Sequence, residues 1–194
     1  MTFKRRKVQT TRLTIRPLKS SDYNAWLDAA VNRLPLQNKW DLGPLEPEKC
    51  TKSYFNKLIN RQKHMAKLDD CYYYYVFENI TSQLIGFMDF DVFSRNTHQF
   101  ANFGYQLYNR HWGLGYGQEA AAAGLKIGFK QLKLNRLEAA INLDNHKSIH
   151  LVKAIGMRKE GVKKRYWFEN EKWTDHLVYV ANPEDLGLKS KKPF

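Results

Sequence analysis

Residues 105–120, YQLYNRHWGLGYGQEA, constrain the fold of this chain more than any other stretch. A strand pattern runs into a loop with Gly113, Gly115 and Gly117 at every second position. A helical pattern starts there, continuing through Ala120 to Ala123, Leu125, Ile127, Phe129 and Leu132. Glycine permits positive φ and lets another group come close to the backbone. The first amides of a helix have no internal acceptor and sit at the positive end of its dipole. Strand, glycine loop and helix start together describe a cradle for a pyrophosphate that needs few cationic side chains. The spacing is neither the G-x-G-x-x-G of a dinucleotide fold nor the Gly-Lys-Ser/Thr of a P-loop. A glycine-rich turn with no ligand is the competing reading of the same residues.

The flanking sequence supplies the rest of a sheet. Residues 71–78, 84–93 and 100–107 read as an antiparallel meander, with turn chemistry at 79–83 and a short polar linker at 94–99. Residues 11–18 alternate as a strand, and Ser20-Ser21-Asp22 precedes a helix over 23–31 as its cap. Residues 34–44, with two prolines and a glycine, form a loop. Pro47, between Glu46 and Glu48, opens a helix running to about Lys67. Beyond the glycine helix (117–132) come a strand at 136–141 and a helix at 145–155, closed by Gly156. Two strands follow, at 164–168 and 173–180, joined by the polar turn 169–172. The order β, α, α, β, β, β, α, β, α, β, β predicts an α/β (α+β mixed) fold. Its core is a central, mostly antiparallel mixed sheet of about seven strands flanked by helices.

Composition narrows the class. With 43% hydrophobic and 14% aromatic residues in 194, the chain has the apolar surface for one core, which excludes a disordered protein. No linker or repeat divides it, so a single domain is expected over 1–194, with its core at about 10–182 and a basic tail at each end. No apolar run reaches the roughly 18 residues that span a bilayer, and the basic N-terminus lacks the apolar segment of a secretory signal. Cys50 and Cys71 match no disulfide or metal spacing and read as free thiols in a reducing cytoplasm. His146 and His150 lie i, i+4, but no neighbouring carboxylate or cysteine completes a site, so no metal is expected. Tyr72 to Tyr75 read as strand core in preference to a base-stacking surface. The net charge of +13 favours anionic partners: the phosphates of a nucleotide cofactor, nucleic acid, or a ribosome surface. The clusters Lys4 to Lys7 and Lys189 to Lys192 read as solvated tails.

Several short patterns now fall into one order. Trp112-Gly113-Leu114-Gly115-Tyr116-Gly117 resembles the acyl-CoA motif of the GNAT N-acetyltransferases, and Gln118-Glu119-Ala120 extends it as in their RimJ/RimL branch. Asn145-His146-Lys147-Ser148 resembles that branch's N-x-x-S, Glu160-Gly161 its E-G, and Trp173-Thr174-Asp175-His176 its W-x-D-H. Thr11-Arg12-Leu13 with Ile15-Arg16 resembles its opening strand, and Leu84-Ile85-Gly86 a later one. The likeness covers about residues 10–182.

The resemblance implies a GNAT fold, acetyl-CoA as acyl donor and CoA as product. It implies that Gln106 and Leu107 end a splayed strand whose amides and carbonyls pair with the pantetheine arm. The amides of Gly113, Leu114, Gly115, Tyr116 and Gly117, beside Trp112, would hold the pyrophosphate. Asn145 would bond the pantetheine region, the Leu107 amide, or one beside it, would bind the oxyanion, and Ser148 would protonate the departing thiolate. Two positions depart from the wider family: Val152 stands where a tyrosine acid is common, and Asn102 where a glutamate base is. Asp89 (with Asp91 on the same strand face), Glu119 and Tyr105 are the substitutes. An α-amine, with a pKa of about 7.7–8.0 against about 10.4 for lysine, makes less demand on a base. With that in mind, the acceptor the resemblance implies is a protein or peptide N-terminus, ribosomal or other. A small amine (polyamine, amino acid or antibiotic) and a non-catalytic acyl-CoA-binding module are the alternatives. Contact with nucleic acid is expected only through a ribosome, and a homodimer is compatible with the resemblance.

Overall fold

A computed structural model describes residues 7–190. Eight strands form one sheet: β1 (Val8–Gln9), β2 (Leu13–Arg16), β3 (Cys71–Glu78), β4 (Leu84–Ser94), β5 (Phe100–Leu107), β6 (Arg136–Asn142), β7 (Arg158–Glu169) and β8 (Lys172–Ala181). Their spatial order is β1-β2-β3-β4-β5-β6-β8-β7. Every neighbouring pair is antiparallel except β5 and β6. The four helices are α1 (Tyr23–Val31), α2 (Lys52–Lys67), α3 (Tyr116–Lys130) and α4 (His146–Ala154).

Period-two alternation divides the core in two. Met88, Phe90 and Phe103 point to one face and pack with Leu125 of α3 and Val152 of α4. Tyr75, Phe77 and Leu84 share the other face with Trp26 of α1 and with Phe55 and Ile59 of α2. The sheet is thus covered on both sides, and Tyr72, Tyr74 and Tyr75 are buried strand core as expected.

The differences from the sequence reading have local causes. The sheet has eight strands because Val8–Gln9 pairs with β2 inside the expected tail. Residues 1–6 of that tail, with Lys4 to Arg6, and Lys191 and Lys192 of the other lie outside the described residues. Pro47 opens only a 3-10 turn, Pro47–Lys49; α2 starts separately after Thr51, whose hydroxyl accepts from the Tyr54 amide at 3.1 Å. Asp22 does not cap α1 with its side chain, because Arg16 and the Lys19 amide occupy both of its oxygens. The strand expected at 164–168 begins at Arg158. Bulges between Lys159 and Gly161 and between Lys163 and Trp167 break its alternation, so the period-two signal is lost along a mostly exposed edge.

The feature that positions the site is the parallel pair. β5 and β6 are in register only over Phe100–Asn102 and Arg136–Glu138. Beyond Asn102, β5 stays with β4 as far as Leu107, while β6 leaves with β8 as far as Asn142. The sheet therefore splits into a wedge open toward the loops that start α3 and α4.

Candidate active site

The Tyr108 amide donates to Ile85 O at 2.9 Å. In an antiparallel ladder, successive residues alternate between facing the partner and facing away. That register turns the main-chain groups of Tyr105 and Leu107 away from β4 and into the wedge. The Leu107 carbonyl accepts from Trp112 Nε1 at 2.8 Å, which leaves its amide to face the cleft. Trp112 thereby ties the end of β5 to the glycine loop.

The loop turns at Gly113 (φ +77°) and Gly115 (φ +75°), both in the left-handed region that L side chains rarely adopt. Gly115 is the N-cap of α3, and no side chain caps that helix. Gly117 is different. Its φ is ordinary, and a Cβ there would lie 3.0 Å from Leu151 Cδ1, so this glycine serves the close approach of α4. The opening of α4 is closed by its own residue: Asn145 Oδ1 accepts from the Ser148 amide at 3.2 Å.

Between these elements lies a cavity of about 340 Å³. It takes in Gln106 and Leu107 of β5, Trp112, Gly113, Gly115, Tyr116 and Gly117 of the α3 start, and Asn145 and Ser148 of α4. Of the cofactor-contact residues expected from the sequence, Leu114 alone is not on its wall. That side chain is half exposed, and its carbonyl accepts from Arg12 Nη1 at 2.8 Å. The fit to a phosphate-bearing ligand rests on the uncapped helix start. A side chain at Gly115 would need strained backbone there, and its Cβ would come within 3.3 Å of Arg12 Nη2.

Arg12, which no sequence pattern marks for the site, stands beside it but off its wall. Its guanidinium, a charge already paired with Glu119, lies 4.5 Å from the Tyr116 ring centroid. Lys147, 4.6 Å from the Trp112 ring centroid, adds another within the cavity. Trp40 also reaches the wall from the loop between α1 and α2. That loop is pinned by buried Asn109, which donates to Leu34 O and Asp41 Oδ2 at 2.8 Å each. No periodic signal marks such residues, because they meet the site only through tertiary contacts.

Three acid–base candidates separate in space. Glu119 does not line the cavity. Its carboxylate accepts from Thr10 Oγ1 (2.6 Å), the Arg12 amide (2.9 Å) and Arg12 Nε (2.6 Å), tying α3 to the chain leading into β2. Burial raises its pKa, but those hydrogen bonds and the Arg12 charge outweigh it and hold the carboxyl below its usual value. The structure therefore gives Glu119 a strut's position, against its expected place among the catalytic groups.

Asp89 faces the α1/α2 side of the sheet, opposite Gly104, where a Cβ would come within 2.7 Å of both carboxylate oxygens. Burial, and then the charge of Asp91, push its pKa up to about 7. Asp89 is not on the cavity wall, but Phe87, two residues before it on the same face, is. That step is roughly 7 Å along the strand. Cys71 lies beside both aspartates, buried and with its thiol pKa pushed up by burial and by Asp91. Tyr105 lies on the opposite face, inside the cavity, with its Oη 2.6 Å from Ser148 Oγ.

A split sheet with an uncapped helix start at its mouth offers strand amides to an extended ligand and helix amides to an anion on it. The sequence profile of the acetyltransferase (GNAT) domain matches residues 12–158, and the chain belongs to that family. Acetyl-CoA is the acyl donor of GNAT acetyltransferases. The uncharacterized N-acetyltransferase YoaA of Bacillus subtilis (strain 168) is 33% identical over 106 residues, 54% of this chain and 59% of that protein's length. The [ribosomal protein uS5]-alanine N-acetyltransferase of Escherichia coli (strain K12) is 24% identical over 183 residues, 92% of each chain. Mycobacterium smegmatis RimJ in complex with CoA-disulfide has a similar fold, with a TM-score of 0.73 at 20% identity over 92% of this chain and 85% of that one. So does a chimera of the spermidine N-acetyltransferase SpeG from Vibrio cholerae and hSSAT, with a TM-score of 0.69 at 20% identity over 91% and 99%. Among the described residues, no helix is long and apolar enough to cross a membrane.

Proposed function

We propose that this chain acetylates the N-terminal α-amine of a protein, ribosomal or other, with acetyl-CoA held in the wedge between β5 and β6. The observation that carries the reading is the cavity at the split, walled by the uncapped start of α3 and by Ser148 of α4. The likeness to the uS5-alanine enzyme over 92% of both chains supports the acceptor class.

In this reading the first amides of α3 receive the pyrophosphate, with Arg12 and Lys147 as nearby cations. The strand amides of Tyr105 and Leu107 receive the pantetheine arm, and the Leu107 amide donates to the carbonyl oxygen as it gains negative charge. The Nδ2 of Asn145, whose Oδ1 is spent on its own helix, faces the same arm. The neutral amine attacks the carbonyl carbon, forming C–N as C–S breaks. Ser148 donates a hydrogen bond to the sulfur as it gains negative charge, and CoA departs as the thiolate. Asp89, through water, takes the proton the amine sheds. With a pKa near 7, Asp89 is matched to an α-amine of about 7.7–8.0 and poorly matched to a lysine of about 10.4. The wider family's base position is Asn102, which pairs across the ladder with Asp91, so the carboxylates sit one strand over from the usual place.

A small amine is the second reading, favoured by the fold shared with the SpeG chimera. The net charge of +13 opposes it for a polyamine. The test is thiol release from acetyl-CoA with a panel of α-amine peptides, side-chain-amine peptides and small amines. Turnover confined to free α-amines supports the proposal. Turnover confined to small amines replaces it with the second reading. Tight CoA binding with no turnover identifies a non-catalytic binding module.

A further inference from the structure

We propose that Tyr105 is a positioning residue that donates its hydroxyl proton to Ser148 Oγ and so turns the Ser148 proton toward the leaving sulfur. The inference rests on the assignment above of Ser148 as hydrogen-bond donor to the leaving sulfur. It begins from a contact between strand β5 and helix α4: Tyr105 Oη and Ser148 Oγ lie 2.6 Å apart, both on the cavity wall.

Two hydroxyls at this distance share one proton between them, and either oxygen can be the donor. A phenol is far more acidic than an aliphatic alcohol, so it is the better donor and the poorer acceptor. Burial raises the Tyr105 pKa to about 12, outweighing the lowering by Ser148, so its proton is present throughout the working range. Besides Ser148 Oγ, the bonds formed by Tyr105 Oη include only a longer contact of 3.4 Å to the Ser148 carbonyl. With Tyr105 donating, the Ser148 hydroxyl is free to donate elsewhere, and the cavity is what lies before it. Hydrogen bonds in a chain also polarise one another, so a Ser148 that accepts from Tyr105 is a stronger donor to sulfur. Neighbouring side chains complete the arrangement: Asn145 Oδ1 accepts from the Ser148 amide, and Tyr105 rests against Phe103 with ring centroids 5.6 Å apart. Tyr105 supplies direction and polarity and keeps its own proton, since a full transfer from a phenol of pKa about 12 to a thiolate is uphill.

The test is a double-mutant cycle with Tyr105→Phe and Ser148→Ala, using acetyl-CoA and the amine that reacts fastest in the panel above. Phenylalanine keeps the ring and its packing. Tyr105→Phe is expected to lower kcat about tenfold with KM for acetyl-CoA within about twofold, and to cost nothing further in the Ser148→Ala background. Equal losses in both backgrounds, or wild-type kcat in Tyr105→Phe, overturn the proposal. Wild-type kcat in Ser148→Ala overturns the assignment of Ser148 itself, and the proposal with it. A second readout needs no acceptor: in protein with ¹³C at the tyrosine Cζ, added CoA should shift the Tyr105 resonance, and Ser148→Ala should abolish the shift. A Tyr105 resonance that ignores CoA in the wild-type protein also overturns the proposal.

Discussion

Helices α3 and α4 both begin at the same cavity, yet their first turns are built in opposite ways. α4 opens with Asn145, whose side chain satisfies one of the helix's own amides. α3 opens with a glycine in the left-handed conformation and no side chain over its amides. A capped start is complete in itself and holds a following residue, here Ser148, in one place. An uncapped start keeps its unsatisfied donors and positive dipole end available to an anion. In the proposed function the pair divides the work: one helix start is left for the donor's phosphates, and the other presents a hydroxyl to its sulfur.

That contrast can be broken at its strongest point first. Gly115→Glu puts a β-carbon where φ is +75° and a carboxylate among the amides meant for phosphate. CoA affinity should fall at least about 100-fold by calorimetry while the thermal unfolding transition stays cooperative. Unchanged affinity would remove the cradle from the site.

Ser148→Ala probes the other helix start. It should lower kcat about 10- to 100-fold and leave CoA affinity within about twofold, because it deletes a group needed as the thiolate departs. Equal losses in affinity and kcat would make Ser148 a binding residue only.

Asp89, distant from both helix starts, sharpens the comparison as a test of the acceptor side. Its folded pKa of about 7 lies above the unfolded value of about 3.9, so the folded state binds more protons between them. Stability contributed by this group is present at low pH and falls as pH rises through about 4 to 7. Asp89→Asn should therefore be more stable than wild type above pH 7, by up to about 4 kcal/mol, and equal to it below about pH 4. The same variant should lose the rise of kcat/KM near pH 7 with an α-amine peptide. A pH profile identical to wild type would leave the base elsewhere.

The smallest effect belongs to the α4 cap. Asn145→Ala removes the bond to the Ser148 amide and should cost about 1 kcal/mol in chemical unfolding. It should lower CoA affinity by less than Gly115→Glu does. A larger loss of affinity than of stability would mean that the Asn145 side chain serves the ligand before the helix.

Much of this site is legible in the chain because its parts are contiguous. The glycine loop, the end of β5 and the start of α3 are one run of residues, so local spacing carried the prediction. The N-x-x-S run likewise placed Asn145 and Ser148 within one helical turn. Leu114 sat inside that contiguous run and faced outward all the same, because a turn distributes its side chains by conformation and not by order. Glu119 was harder to read. On α3 it looks like a carboxylate near a cofactor, and only the arrival of Thr10 and Arg12, more than a hundred residues earlier, shows both of its oxygens to be occupied. The sequence marks only 164–168 of β7, because its bulges and exposed edge erase the alternation of a strand.

The chain by itself determined where strands give way to helices and where the backbone must turn through left-handed glycines. Those outcomes follow from side-chain periodicity and from the allowed φ of single residues. Tertiary structure decided which amides were left without partners. The parallel pairing of β5 with β6 ends after three residues, and from there the amides of Tyr105 and Leu107 face a gap instead of a strand. It also decided that Tyr105 meets Ser148 across 43 residues of sequence. Neither result has a local signal, because each depends on two elements whose separation is set by how the whole sheet twists and packs.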